Sequence, residues 1–278
     1  MILTEGPSDR KALTGFFTDL YSMIDEEIEV FFPILTEDSI SEDNTIERKY
    51  NGDLTSRTGI NPDNVLSMIL KLFIHPELKK HPAYEYPASV MEVIHLVDID
   101  GVYLNDENVV TASIPDGKKY PFYDQEGRII TDNIDGIIDR NKRKRENLQK
   151  MIETKRLRIT MTEGKHDEKE KPYKVYYFSS NLDHVLFGDA NNDSFLKVPY
   201  ASKFGSAYYG ESLKLANYFL NHHSAVRTND YMESWNILMN NHDSLPPTTN
   251  NNLLVSDLLK RAKIQEKDLP YNDIDFSL

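Results

Sequence analysis

The chain has 278 residues, 39% of them hydrophobic, and a formal net charge of −13. That length suits one large domain, or one domain with an appendage. The acidic balance argues against tight non-specific DNA binding, which needs clustered Lys and Arg to neutralise phosphates.

There is no cysteine, so disulfides and thiolate metal sites are excluded. Mean hydropathy is −0.55, and no apolar run approaches the roughly 20 residues needed to cross a bilayer. The N-terminus lacks the basic and apolar regions of a secretory signal. These features lead us to expect a cytoplasmic protein without a membrane partner.

Ile2-Leu3-Thr4 is a short β-prone run, broken by Gly6 and Pro7. Either this first strand is short or its start lies upstream of Met1. From Ser8 the pattern turns helical: Leu13, Phe16, Phe17, Leu20, Tyr21 and Ile24 recur at spacings of three and four. Glu29 to Ile34 reads as a second strand. Residues 36 to 56 are polar and read as a loop or mobile insertion. A helix is expected after Asn61-Pro62-Asp63, with Val65, Met68, Ile69, Leu72 and Phe73 on one face, before Pro76, Pro82 and Pro87 interrupt it.

Residues 90 to 97 are almost continuously apolar, as in strands buried on both faces of a parallel sheet. A small hairpin is expected from residues 119–123 and 128–130 across Asp124 to Gly127. Residues 134 to 158 read as a helix carrying Arg140, Lys142, Arg143, Lys144 and Arg145. A charged loop follows, from Gly164 to Lys171. Residues 175–178 read as a strand, and Ser179-Ser180-Asn181 as the cap of the next helix. Residues 206 to 240 are helical in pattern. Pro246-Pro247 and Asn250 to Asn252 read as a linker, and Leu253 to Ile264 as a closing amphipathic helix.

Two acidic signatures carry the chemistry. Glu5-Gly6-Pro7-Ser8-Asp9 follows the first strand, and Asp98-Ile99-Asp100-Gly101 follows the apolar run. If both strands lie side by side in a parallel sheet, Glu5, Asp98 and Asp100 converge at one edge. Three gathered carboxylates repel unless a cation sits among them, and hard oxygen donors suit Mg2+ or Mn2+. The turn at Gly101 can bend the second carboxylate back toward the metal. Gly6 lets a phosphate approach the backbone. The helix starting near Ser8 offers free N–H groups to an anion, while Asp9 suits the positive end of that helix.

The Glu-Gly-x-x-Asp and Asp-x-Asp pair, in this order, resembles the TOPRIM family of primases, topoisomerases, OLD-family nucleases and small TOPRIM proteins of bacterial defence. The resemblance covers roughly residues 1 to 110 and extends to the strand at 175–178. It implies an α/β fold: a TOPRIM-like, mostly parallel sheet flanked by helices, with a helical insertion and a helical C-terminal region. The domain would span residues 1–200, with the insertion at about 37–88, and the helical region 201–278. It implies Glu5, Asp98 and Asp100 as metal-holding and catalytic residues, with Glu5 also able to move a proton. Topoisomerases carry a further acid soon after the Asp-x-Asp. Here the next acids are Asp106 and Glu107, which sets the topoisomerase branch aside.

The expected activity is Mg2+-dependent cleavage of DNA or RNA by a partner-controlled effector of anti-phage defence. With no Walker-type phosphate loop in the chain, a separate ATPase or sensor protein would supply that control. Gly6, Asp9, Arg143, Lys144 and Lys203 are candidates for phosphate or nucleic-acid contact. The basic residues read equally as a solvated helix face. Two alternatives stay open: a non-catalytic TOPRIM-like module binding a nucleotide or partner, and a nucleotidyl- or phosphate-transfer enzyme. No histidine pair has zinc-ligand spacing.

Overall fold

The computed structural model describes residues 1–33, 36–40, 46–50, 53–57, 59–72, 90–159, 169–191, 194–240 and 247–271. It is an α/β structure with mixed sheets and flanking helices. The strands are β1 (Ile2–Leu3), β2 (Thr36–Ile40), β3 (Ile46–Tyr50), β4 (Val93–Asp98), β5 (Val109–Val110), β6 (Phe122–Tyr123), β7 (Ile129–Ile130), β8 (Arg156–Ile159) and β9 (Lys169–Phe178). The α-helices are α1 (Pro7–Ile24), α2 (Val65–Leu72), α3 (Ile134–Glu153), α4 (Leu182–Phe187), α5 (Ser194–Ala207), α6 (Ser212–Asn221), α7 (Tyr231–Met239) and α8 (Asn251–Arg261).

The chain forms two compact units. The first holds residues 1–7, 31–96 and 143–175; the second holds 8–30, 97–142 and 176–278.

In the first unit, β1 pairs in parallel with β4, Ile2 opposite Ile94 and Leu3 opposite His95. β8 pairs with β9 in antiparallel fashion. The sheet order is β1-β4-β9-β8. Val93, Ile94, His95 and Leu96 are all buried, as expected of a strand covered on both faces. Leu148, Met151 and Ile152 of α3 are also buried, at helical spacing.

Several sequence expectations change here. Residues 36–50 contain an antiparallel pair, β2 with β3, where a loop was expected. The insertion is therefore not purely helical, although α2 forms as expected. Residues 29–33 are not a strand, although Ile2 N–H of β1 donates to Phe31 O at 2.9 Å. The expectations for Ile34, for residues 73–89 and for 160–168 lie outside the described residues, whereas Lys169 to Lys171, expected in a loop, begin β9, and residues 156–158, expected to be helical, lie in β8.

In the second unit, α1 buries Leu13, Phe16, Phe17, Leu20 and Tyr21, the face read from the sequence. Phe16 packs on Phe219 of α6, with ring centroids 5.5 Å apart. The expected hairpin is β6 with β7, and β5 joins β7 in parallel. Leu104, Val109 and Ile129 form a small core beneath it. Asn181 caps α4: its side chain accepts from His184 N–H.

Of the region read as a linker, the asparagines are lodged in the fold, and Pro246 lies outside the described residues. Asn250, Asn251 and Asn252 are buried, because residues 248–251 bond to the end of β9. Ser179 N–H donates to Thr248 O at 2.8 Å, and Thr249 Oγ1 donates to Tyr177 O at 2.6 Å. No described helix is long and apolar enough to cross a membrane.

Candidate functional site

In the second unit, β4 ends at Asp98 and the chain turns at once. Ile99 N–H donates to Phe178 O and Asp100 N–H to Ser180 O, both at 2.9 Å, so the end of β9 fixes the start of this turn. Val102 N–H then closes back on Ile99 O at 3.0 Å. Asp100 and Gly101 have φ values of 54° and 69°. Left-handed backbone is open to glycine and tolerated by Asp, whereas a β-branched residue would be strained there. The guanidinium of Arg140 donates to the Asp100 carbonyl at 2.9 Å, tying the turn to α3. The turn expected at Gly101 is therefore present and begins one residue earlier.

Four carboxylates act on one lysine. Lys197 of α5 stands 3.5 Å from Asp183 Oδ2 in the first turn of α4. Burial would lower the Lys197 pKa, but the charges of Asp183, Asp98, Asp9 and Asp100 outweigh it and raise the value. Asp9, in the first turn of α1, and Asp183 are buried. A strand end, a turn, two helix N-termini and one lysine thus form a single electrostatic group. Sequence reading singled out Lys203, which is exposed, and passed over Lys197.

The first unit has a second charged group. Lys144, on α3, is wholly buried; its ammonium lies 3.5 Å from Glu5 Oε1 and 3.3 Å from Asp53 Oδ2. Glu5 and Asp53 bring carboxylate oxygens within 4.8 Å of each other. Asp53 Oδ1 accepts from Thr55 N–H at 2.9 Å, Thr55 Oγ1 at 2.7 Å and Ser56 N–H at 3.1 Å, while Ser56 Oγ donates to Oδ2. Burial would raise the Asp53 pKa, but Lys144 and these donors hold it well below the usual carboxylate range.

α3 grips the same turn. Asn147 Nδ2 donates to Thr55 O at 2.7 Å, and the Arg143 guanidinium donates to Ser56 O. Behind them, His95 Nδ1 lies 3.1 Å from the Tyr173 hydroxyl. Burial lowers the His95 pKa to about 4.

Both units hold expected residues. Asp98, Asp100 and Asp9 lie in the second unit, where each raises the Lys197 pKa. Glu5, Gly6, Arg143 and Lys144 belong to the first. Of the basic residues once read as a phosphate-binding face, Arg140, Arg143 and Lys144 are engaged inside the fold. Asp53 was missed, although Asp-x-Thr-Ser is a legible side-chain-to-backbone turn. What could not be read was its pairing with Lys144, 91 positions away.

Carboxylate oxygens are the donor type that Mg2+ and Mn2+ prefer. Asp98, Asp100, Asp9 and Asp183 are donors of that type. A comparison of the chain with protein-family models, curated proteins and solved structures found no match.

Proposed function

We propose that the protein is a divalent-cation-dependent nuclease with a TOPRIM-like fold, cutting DNA or RNA phosphodiesters. The observation that carries this reading is the Asp98–Asp100 turn: two carboxylates about a left-handed backbone at the end of a buried strand, sharing Lys197 with Asp9 and Asp183. Asp98 and Asp100 hold the cation, which is Mg2+ or Mn2+. The bound cation supplies electrophilic stabilisation of a phosphoryl oxygen and a water of lowered pKa. Lys197 sets its ammonium against charge that builds on the phosphate oxygens. The resemblance adds Glu5 as a ligand or proton acceptor. It is also the ground for a cytoplasmic effector of bacterial anti-phage defence, controlled by a separate ATPase or sensor.

The second reading is a non-catalytic module that binds a nucleotide or partner. Lys197 favours it to this extent: the carboxylates already have a counter-charge.

The two separate on one experiment. Purified full-length protein is incubated with plasmid DNA and with RNA in Mn2+ or Mg2+, beside Asp100→Ala. Metal-dependent cleavage lost in the variant is expected. Cleavage that survives Asp100→Ala would remove the catalytic assignment, and nucleotide binding without cleavage would favour the module.

A further inference from the structure

Lys144 takes the place a metal ion would occupy between two carboxylates. It is fully buried, and it touches Glu5 and Asp53, whose oxygens come within 4.8 Å of each other. Two such carboxylates repel unless a cation lies between them. A divalent cation at Glu5 therefore competes with a positive charge already in position.

The two carboxylates hold Lys144 differently. Asp53 is fixed by donors from Thr55 and Ser56, in a turn that α3 itself clasps through Arg143 and Asn147. It also makes the shorter contact, 3.3 Å against 3.5 Å. Asp53 is thus the anchored end of the bridge.

The surroundings have capacity to spare. His95 Nε2 and Asn147 Oδ1 are buried and have no hydrogen-bond partner among the described residues. The charges of Asp53 and Lys144 both reach the His95 ring, and Asn147 is one helical turn from Lys144. Buried polar atoms of this kind are rare unless a water or ligand completes them.

We propose that Lys144 is a resident counter-cation shared between Glu5 and Asp53, and that this sharing sets how readily Glu5 accepts a divalent cation. The inference rests on the assignment of Glu5 as a metal ligand under the proposed function. Lys144 and Asp53 are positioning residues in it. Lys144 opposes the incoming cation, and Asp53 draws the ammonium away from Glu5.

The test is Mn2+ binding to the full-length protein, read from the electron paramagnetic resonance signal of free Mn2+. Lys144→Met removes the competitor, so it binds Mn2+ about tenfold more tightly or better. Asp53→Asn leaves Glu5 a larger share of the ammonium and binds about tenfold more weakly. In a Glu5→Gln background the gain from Lys144→Met disappears. A merely structural role would move both single variants the same way, and that result, or no shift in either, overturns the proposal.

If Lys144→Met does not fold, Asp53→Asn decides alone, because Asn keeps the Oδ1 acceptor for the two Thr55 donors and for Ser56 N–H. Unchanged or tighter binding in it overturns the sharing. Opposite shifts without nucleic-acid cleavage would retire the nuclease reading and keep this one. Cleavage that needs Asp100, with shifts in one direction, would do the reverse. A wild-type chain that binds no Mn2+ overturns both.

Discussion

The Asn250 side chain accepts a 2.8 Å hydrogen bond from the Tyr177 backbone N–H. Its amide Nδ2 donates to Ser234 Oγ at 3.0 Å. Asn250 is wholly buried, so removing its amide leaves Tyr177 N–H and Ser234 Oγ without that partner. Asn250→Ala should lower stability by about 1–3 kcal/mol, the cost of leaving buried polar groups unmade. Urea unfolding followed by the fluorescence of Trp235, the single tryptophan, measures this. Trp235 is fully buried, with its ring 4.8 Å from that of Tyr177. An unchanged midpoint would mean that Asn250 contributes nothing to the end of β9.

The same residue marks a limit of what the sequence discloses. Three consecutive asparagines after two prolines have a linker's composition, and nothing local says that they complete hydrogen bonds on a strand some 70 positions earlier. β4 was legible because a nearly continuous apolar run has few other homes. α1 was legible because its apolar spacing is regular. Lys197 was not, because α5 has no clear apolar stripe and contains Pro199, so periodicity could not rank one lysine above another. Asp53 hid in a polar stretch for a similar reason: its turn is local and readable, but its charge partner is distant. The Asp98–Asp100 signature was readable because strand, carboxylate and turn residue adjoin in the chain.

Lys197 and Lys203 lie on the same helix and differ sharply in setting. Lys197 is 3.5 Å from Asp183 and feels three further carboxylates, whereas Lys203 is exposed. Under the proposed function, Lys197→Ala should reduce metal-dependent cleavage by about 10²-fold, a common effect of deleting a group aimed at developing charge. Lys203→Ala should leave the rate within about twofold, as expected of a surface group outside the site. Initial rates at saturating Mn2+ decide it. Equal losses from both variants would point to general electrostatic attraction of the nucleic acid instead.

Gly205 of α5 sits against the backbone of α1. A Cβ built there would lie 3.1 Å from Lys11 O and 3.7 Å from Ala12 O. Alanine would gain about 1 kcal/mol of helix propensity over glycine, and the tight carbonyl contact offsets it, leaving Gly205→Ala near neutral. Gly205→Leu has no such balance, because its branched side chain must push the two helices apart. A loss of about 1–3 kcal/mol is expected, as for other overpacked sites. Thermal unfolding of the two variants checks the order. A Leu variant as stable as wild type would show that the α1–α5 contact yields freely.

Stability should fall as pH drops from about 6.5 to about 4. His95 is buried, and desolvation, the largest cause, lowers its folded pKa to about 4; His222 is likewise lowered to about 4, by burial and by the neighbouring His223. In that window the unfolded histidines bind protons and the folded ones do not. The unfolded state therefore gains as pH falls, and the stability present above pH 6.5 is lost progressively. For wholly buried His95 the loss is on the order of a few kcal/mol. His222 is only partly buried and contributes less. Asp53 acts in a different window: its folded pKa is depressed, so its contribution persists above about pH 4 and fades only below it. Urea midpoints at pH 7.5, 6 and 5 should decline for wild type. His95→Gln, which keeps a polar partner for the Tyr173 hydroxyl, should decline less steeply. Parallel slopes for the two proteins would mean that His95 takes up its proton as easily folded as unfolded, and that its burial does not resist the charge.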